Sequence, residues 1–379
     1  MQTALTNGRV MTDRGAIAEH AVLVEGGRIT GVVRQGDIPA DAARHDLGGR
    51  LLLPGFIDVQ VNGGGGVLFG DAPGIETLRT IAQAHARFGT TGFLPTLISG
   101  DLALIRSAIA AVDAAMQEGV PGVLGIHIEG PFLNPERKGI HNAANFRALD
   151  TEAFELLTSF KRGKTLVTLA PEQTTPDMVA ALAGAGVIVS AGHTDAAYGD
   201  IRAALDHGLT GFTHLFNAMS PLRARQPGTV GAALDDAASW CGIIADGHHV
   251  DPAALRIALA CKGADKLMLV TDAMPSVGAA TKTFTLQGRT ITVKDGVCIA
   301  PDGTLAGCDL DMASAVRNAM SLMNVDLAEA VAMAGRNPAA FLGLGGEMGT
   351  IATGQRANFV VMDDALGVQE TWIDGARVW

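Results

Sequence analysis

The chain has 379 residues, and 39 Asp and Glu against 28 Lys and Arg give it a net charge of −11 at pH 7. This acidic balance argues against a surface for nucleic acids or anionic membranes, and 48% hydrophobic with 18% charged residues excludes an intrinsically disordered chain. Because the sequence shows no signal peptide, no run of 18 apolar residues and no C-x-x-C pair among its four cysteines, we expect a soluble cytoplasmic enzyme.

Both ends of the chain have the pattern of short strands joined by tight turns. The first fifty residues contain β-rich segments broken at Asn7-Gly8 and Gly26-Gly27, and the last thirty contain further hairpin signals with little helical periodicity. We therefore expect residues 1–53 and 350–379 to form one small β-sandwich domain.

The middle of the chain, residues 54–349, alternates apolar runs of strand length with helical stretches. Eight such runs occur, at 56–61, 92–97, 123–129, 166–170, 187–192, 211–216, 241–246 and 266–272. Eight strands alternating with helices predict a (β/α)8 TIM-like barrel. A doubly wound sheet is the alternative, but no G-x-G-x-x-G follows the first run. A β-like segment over residues 283–300 precedes helices expected around 309–341.

Residues whose side chains can bind a metal ion or transfer a proton lie at or just after the ends of several predicted strands. Active sites of such barrels lie at the carboxyl ends of the strands, where the sequence places Glu129, His193, His214 and Asp272. Two imidazoles and a carboxylate are a typical ligand set for a catalytic zinc ion, which lowers the pKa of a water molecule to about 7. A further carboxylate such as Asp272 can then accept and return a proton.

Two other residues near these ends allow more than one interpretation. His127 lies two residues before Glu129 and therefore shares its face of the strand; it either supports the site or belongs to the core. Asp58 is a metal ligand, a turn residue or a residue that supports the ligands from behind.

The motifs, taken together and in order, resemble the amidohydrolase superfamily and, within it, the family of N-acetylglucosamine-6-phosphate deacetylases. The segments that carry the resemblance span the chain: LPGFIDVQVNGGGG, HIEGPFLNPERKGIH, SAGHTDA, THLFNAM, ADGHHVD, LVTDAM and GTLAG. The resemblance implies hydrolysis of the N-acetyl group of N-acetyl-D-glucosamine 6-phosphate to D-glucosamine 6-phosphate and acetate.

The resemblance also implies a role for each matching residue. Glu129, His193 and His214 match the metal ligands, and Asp272 matches the catalytic acid and base. The residues that match substrate contacts are Ile140, His141, Asn217, Ala218, Arg225, His249, Leu305 and Gly307. His141 is expected at the N-acetyl carbonyl. Arg225 is expected to reach the phosphate in the neighbouring subunit of a homodimer.

Two departures from other amidohydrolases limit the metal content that we expect. Gln60 and Asn62 stand where many members carry a His-x-His pair for a second metal, and neutral amides are poor zinc ligands. The fourth run ends in LAPEQ, without a lysine that could be carboxylated to bridge two metals. We therefore expect one divalent metal per chain, Zn²⁺ before Fe²⁺, since both suit the same nitrogen and oxygen ligands.

Two alternative functions remain at this point. The same chemistry could act on N-acetylgalactosamine 6-phosphate, because no residue distinguishes the C4 epimers. A non-catalytic binding protein on the same fold would be supported by loss of Glu129, His193, His214 or Asp272, and all four are present.

Overall fold

The computed structural model describes residues 2–13 and 15–379. Its centre is a sheet of eight parallel strands whose spatial order follows the chain without interruption. These strands are β1 (Phe56–Val61), β2 (Thr90–Ile98), β3 (Gly125–Glu129), β4 (Lys164–Leu169), β5 (Ile188–Ala191), β6 (Leu209–Phe212), β7 (Trp240–Ile243) and β8 (Leu267–Leu269). Each of the eight predicted runs overlaps one of them.

The sheet curls until its two edges meet. Val61, the last residue of β1, forms a parallel bridge with Ala273, which lies beyond β8. The backbone amide of Asn62 donates to the carbonyl of Ala273 at 2.9 Å. Asp58 in β1 adds a side-chain contact across this seam, because its carboxylate accepts a 2.5 Å hydrogen bond from the Thr271 hydroxyl. The predicted barrel is confirmed, and the doubly wound alternative is wrong because a doubly wound sheet stays open.

Ten helices surround the barrel within the described residues. They are α1 (Ile75–Ala86), α2 (Leu102–Gln117), α3 (Thr151–Leu157), α4 (Pro176–Gly184), α5 (Tyr198–Asp206), α6 (Gly228–Asp235), α7 (Pro252–Lys262), α8 (Met312–Met323), α9 (Leu327–Ala334) and α10 (Arg336–Phe341). In α2, Asp101 caps the first turn by accepting from the amide of Leu104, and Ile105, Ile109 and Val112 face the core. None of the helices in the described part of the chain is long and apolar enough to cross a membrane.

A second sheet joins strands from both ends of the chain. Its strands are Thr3–Thr12, Gly15–Glu25, Arg28–Arg34, Ala43–Asp46 and Leu51–Pro54 from the first part, and Phe359–Met362, Val368–Ile373 and Ala376–Arg377 from the last. Leu51–Pro54 lies inside this sheet, parallel to Thr3–Thr12 on one side and antiparallel to Phe359–Met362 on the other. Leu5, Val22, Leu52 and Phe359 belong to an apolar cluster separate from the barrel core.

A third sheet of four antiparallel strands follows β8. Thr283–Leu286, Arg289–Lys294, Val297–Ile299 and Leu305–Cys308 pair in chain order, which confirms the β-like segment expected before the last helices. Its final strand is bound to the loop after β8, since the amide of Cys308 donates to the carbonyl of Asp272 at 2.9 Å. This sheet therefore borders the end of the barrel where Asp272 lies.

Candidate active site

The carboxyl ends of β3, β5 and β6 bring Glu129, His193 and His214 together. The Nε2 atom of His214 lies 3.0 Å from Oε1 of Glu129 and 3.0 Å from Nε2 of His193. The third distance, from Nε2 of His193 to Oε1 of Glu129, is 3.3 Å. All three residues are buried, and their three potential ligand atoms lie close enough together to share one metal ion.

The hydrogen bonds around these groups favour a cation at that position. Nδ1 of His193 lies 2.9 Å from the carbonyl oxygen of Arg137, so it carries the ring proton and leaves a lone pair on Nε2. Burial opposes ionisation of Glu129, but the contacts from His193 and His214 outweigh it and hold the pKa of Glu129 well below its usual range. An ionised carboxylate and two imidazoles at these distances form a donor set suited to Zn²⁺ or Fe²⁺.

Asp272 stands beside this group of ligands and is held by two side-chain amides. Nδ2 of Asn62 donates to its Oδ1 at 2.6 Å and Nε2 of Gln60 donates to the same oxygen at 3.2 Å. Gln60 also donates to Oε1 of Glu129 at 3.2 Å. Burial and the charge of Glu129 raise the pKa of Asp272 to about 6, which is in the range suited to a group that accepts and returns a proton near neutral pH.

Backbone strain concentrates at these strand ends. His193, His214 and Asp272 have φ values of 49°, 34° and 51°, and Ala218 has 52°. Residues other than glycine rarely occupy this left-handed region, and each costs of order 1 kcal/mol. Three of these four residues, His193, His214 and Asp272, carry polar groups of the site, so backbone strain accompanies the orientation of these side chains.

His141 enters the site from the loop after β3 with a defined protonation state. Its Nδ1 lies 2.8 Å from the Ser99 hydroxyl and 3.4 Å from the Ser99 amide, so Nδ1 acts as the acceptor and the proton resides on Nε2. Burial, with the neighbouring His193, lowers the pKa of His141 to about 3. His141 is therefore a neutral donor, and its Nε2 lies 3.9 Å from Oε2 of Glu129.

His249 is oriented by a carboxylate in the loop after β7. Its Nδ1 lies 2.6 Å from Oδ2 of Asp246, and the other oxygen of Asp246 accepts from the backbone amides of His248 and His249 at 2.8 Å each. Cys308 lies 3.5 Å from the same Nδ1. The proton on Nδ1 leaves Nε2 of His249 available to a ligand in the cavity.

The structure gathers nearly all the predicted site residues around one cavity of about 190 Å³. Eleven of the twelve line it: Glu129, Ile140, His141, His193, His214, Asn217, Ala218, His249, Asp272, Leu305 and Gly307. Arg225 lies instead in the exposed loop of residues 221–226 and lines a neighbouring cavity of about 500 Å³ together with Arg137 and Arg223.

The two residues with open interpretations lie below the ligand atoms. His127 is buried and hydrogen-bonded at 3.1 Å to Thr96 and at 2.8 Å to Thr168. Its contacts are therefore those of a residue inside the barrel that links neighbouring strands. Asp58 contacts Thr271 at the seam, so its carboxylate is engaged in closing the barrel.

Two residues that hold parts of the site in place were not predicted from the sequence. Ser99, which fixes the tautomer of His141, is 42 positions away from it in the chain. Glu172 accepts hydrogen bonds from Asn134 and from the Asp195 amide at 2.8 and 2.7 Å, and thereby ties down the loop that follows His193. No periodicity or spacing in the sequence indicates such residues. For Glu172, the one available signal was its place in the polar PEQ segment that follows β4.

Comparison with known families agrees with this geometry. The sequence profile described as the amidohydrolase family matches residues 51–378. The chain belongs to the amidohydrolase family. The profile of the NagA composite domain matches residues 3–52. The resemblance inferred from the motifs is thereby confirmed.

Two relatives that align with nearly the whole chain are named as deacetylases of amino-sugar phosphates. The chain is 41% identical to the N-acetylgalactosamine-6-phosphate deacetylase of Shewanella sp. strain ANA-3, over 99% of this chain and 96% of the relative. It is 36% identical to the N-acetylglucosamine-6-phosphate deacetylase of Haemophilus influenzae, over 99% of both proteins. The chain therefore has similar relatives named for each of the two epimeric sugars.

Solved structures of deacetylases have the same fold. The N-acetylglucosamine-6-phosphate deacetylase of Pasteurella multocida superposes with a TM-score of 0.96 at 34% identity, covering 100% of this chain and 99% of that one. A mutant of the Mycobacterium smegmatis enzyme in complex with N-acetyl-D-glucosamine 6-phosphate gives a TM-score of 0.90 at 32% identity, with coverage of 100% and 99%.

Proposed function

We propose that this chain hydrolyses the N-acetyl group of N-acetyl-D-glucosamine 6-phosphate, releasing acetate and D-glucosamine 6-phosphate. The observation that carries the proposal is the convergence of Glu129, His193 and His214 beside Asp272 in one cavity. The same reaction on N-acetylgalactosamine 6-phosphate is the second candidate, because the relative at 41% identity is named for that substrate.

The side chains divide the chemistry between them. Glu129, His193 and His214 would hold a divalent cation, which would make a water molecule more acidic and polarise the acyl carbonyl. Asp272 accepts the proton of the attacking water and then delivers it to the departing amine nitrogen. The amides of Gln60 and Asn62 hold the Asp272 carboxylate in place by donating to Oδ1.

His141 and His249 serve the substrate in this mechanism. His141, neutral and with its proton on Nε2, donates to the acyl oxygen, where negative charge develops during attack. His249, fixed by Asp246, contacts the sugar, together with Ile140 and Leu305 at the wall of the cavity. Asn217 and Ala218 lie in the loop after β6 and are proposed to hold the sugar phosphate.

One zinc ion per chain is the proposed metal content, with Fe²⁺ as the alternative. Gln60 and Asn62 occupy the positions from which a second metal would be held. Their amides are instead engaged in donating to Asp272 and Glu129. This engagement supports a single tight site.

A cytoplasmic homodimer is the proposed assembly, with Arg225 binding the phosphate held by the neighbouring chain. Arg225 is exposed and does not line the cavity of its own chain. Leu222, in the same loop, is 55% exposed, which suits a contact surface. We also propose that the sheet built from 1–53 and 350–379 is a β-sandwich domain distinct from the barrel of 54–349.

The function is tested by acetate release from the N-acetylated 6-phosphates of glucosamine and galactosamine, with the unphosphorylated sugars alongside. We expect the glucosamine 6-phosphate derivative to be hydrolysed with the higher kcat/KM. A higher value for the galactosamine derivative would replace the first candidate with the second. Absence of hydrolysis by metal-loaded protein on all four compounds would refute both.

The role of Arg225 in trans has its own test. Arg225→Ala should lower kcat/KM on the phosphorylated sugar by roughly 10- to 150-fold, since a charge-assisted bond contributes about 1.5–3 kcal/mol, and should change little on the unphosphorylated sugar. Mixing Arg225→Ala chains with Asp272→Asn chains should restore activity, because a hybrid dimer contains one site with both native residues. Exchange of subunits without recovery would assign Arg225 to its own chain.

A further inference from the structure

One wall of the active-site cavity is apolar and separates it from a second cavity. Ile98, Ile140 and Met274 line the active-site side of this wall. Ile98 is the last residue of β2, is 7% exposed and packs in a cluster with Met274 and Leu286. The wall is therefore built jointly by the barrel and by the four-stranded sheet that borders its mouth.

The second cavity lies directly behind Ile98 and holds about 290 Å³. Ile98 lines both cavities. Leu68, Leu104 and Leu286 line the second cavity beside Ile98, whereas Asp71 and Asp101 add carboxylates and Asn145 and Gln287 add side-chain amides. Such a space suits a neutral alkyl chain and disfavours an acidic one.

The direction of the acyl group follows from the groups that hold its carbonyl. The carbonyl carbon carries two other substituents, the amide nitrogen and the alkyl group. The nitrogen leads to the charged sugar phosphate, which must extend toward solvent, past Leu305 with its 37% exposure. The alkyl group then points away from solvent. Ser99, which holds His141 through Nδ1, directly follows Ile98, so the apolar wall adjoins the proposed donor to the carbonyl.

We propose that the side chain of Ile98 limits the acyl group to two carbons, and that the cavity behind it is a latent subsite for longer, uncharged acyl chains. This inference rests on the proposed deacetylase function. The reaction itself is unchanged: water adds its oxygen to the acyl carbon, the C–N bond breaks, and the proton passes through Asp272 to the amine. Only the length of the carboxylate released differs.

The test compares N-butyryl with N-acetyl substrates of the same sugar phosphate. Ile98→Ala should raise the ratio of kcat/KM for butyryl over acetyl by about 15-fold relative to the unaltered protein, since two buried methylenes contribute about 0.8 kcal/mol each. The N-succinyl substrate should show no such gain, because Asp71 and Asp101 repel its carboxylate. An unchanged butyryl-to-acetyl ratio in a folded, metal-loaded variant would overturn the inference.

A blocking variant separates the second cavity from a general loosening of the site. Leu104 lines the second cavity and not the first. Leu104→Trp should leave acetyl hydrolysis within about twofold, and in the Ile98→Ala background it should cancel the gain on butyryl. A gain that survives Leu104→Trp would show that the chain enters elsewhere.

A smaller substitution at the same position serves as a second test. If Ile98→Ala does not fold, Ile98→Val is compared on the N-propionyl substrate, where one methylene predicts a rise of about fourfold in the ratio over acetyl; an unchanged ratio overturns the inference. If the unaltered protein hydrolyses the N-acetyl group of neither sugar phosphate, the proposed function is refuted, and the proposed subsite with it.

Discussion

Replacing Asp58 with asparagine tests how the seam of the barrel responds to pH. Asp58 is fully buried, and its carboxyl group accepts hydrogen bonds from the Thr271 hydroxyl at 2.5 Å and from the backbone amide of Gln60 at 3.1 Å. Burial nevertheless dominates and raises the pKa of Asp58 to about 7, from an ordinary value of 3.8. The folded protein therefore binds a proton that the unfolded chain releases well below neutral pH.

The sign and size of the effect follow from this difference. A carboxyl group whose pKa is higher in the folded state does not lower the free energy of unfolding at pH values below its unfolded pKa. As the pH rises from there, the free energy of unfolding falls, until the pH passes the folded pKa. Between pH 5 and pH 8 the free energy of unfolding should fall by about 2.5 kcal/mol on account of Asp58 alone. Asp58→Asn removes the titrating group and with it this part of the pH dependence.

The assay is urea unfolding at pH 5 and pH 8 with the metal removed by a chelator, so that loss of metal in acid does not contribute. The change in unfolding free energy between the two pH values is compared for the unaltered protein and Asp58→Asn. Asp41→Asn, at an exposed aspartate, is the matched control and should retain the dependence of the unaltered protein. Equal pH dependence in Asp58→Asn and the unaltered protein would refute the reasoning, because Asp58 would then ionise alike in both states.

Three further variants, two single and one double, test the metal site and its surroundings. His214→Ala should abolish tight metal binding and hydrolysis together, because two ligands remain; elemental analysis after dialysis that finds a full equivalent of metal would contradict this. Asp272→Asn should retain the metal yet lower kcat by at least about 100-fold, and loss of the metal would make Asp272 a ligand. The double change Gln60→His and Asn62→His should raise tight binding from one to two metal ions per chain, since imidazole binds Zn²⁺ far better than an amide does. A stoichiometry that stays at one would show that the positions cannot reach a shared ion.

The sequence was sufficient for the barrel because each strand overlaps a short apolar run and most of these runs are separated by helical stretches. It was also sufficient to predict that Glu129, His193 and His214 come together, since residues at the carboxyl ends of parallel strands meet at one end of the barrel. Ser99 and Glu172 could not be found this way, because their roles depend on loops whose conformation no periodicity encodes. Likewise, the left-handed backbone of His193, His214 and Asp272 is imposed by the surrounding fold and is contrary to local preference.

The sheet that joins both ends of the chain has a consequence for synthesis on the ribosome. Leu51–Pro54 pairs on one side with Phe359–Met362, which is translated about 300 residues later, or about 15–60 s at roughly 5–20 residues per second. During that interval Leu51, Leu52 and Leu53 lie at an open sheet edge, where another nascent chain can pair with them. Premature termination before residue 359 would make this exposure permanent, so a truncated product should aggregate even if its barrel is complete.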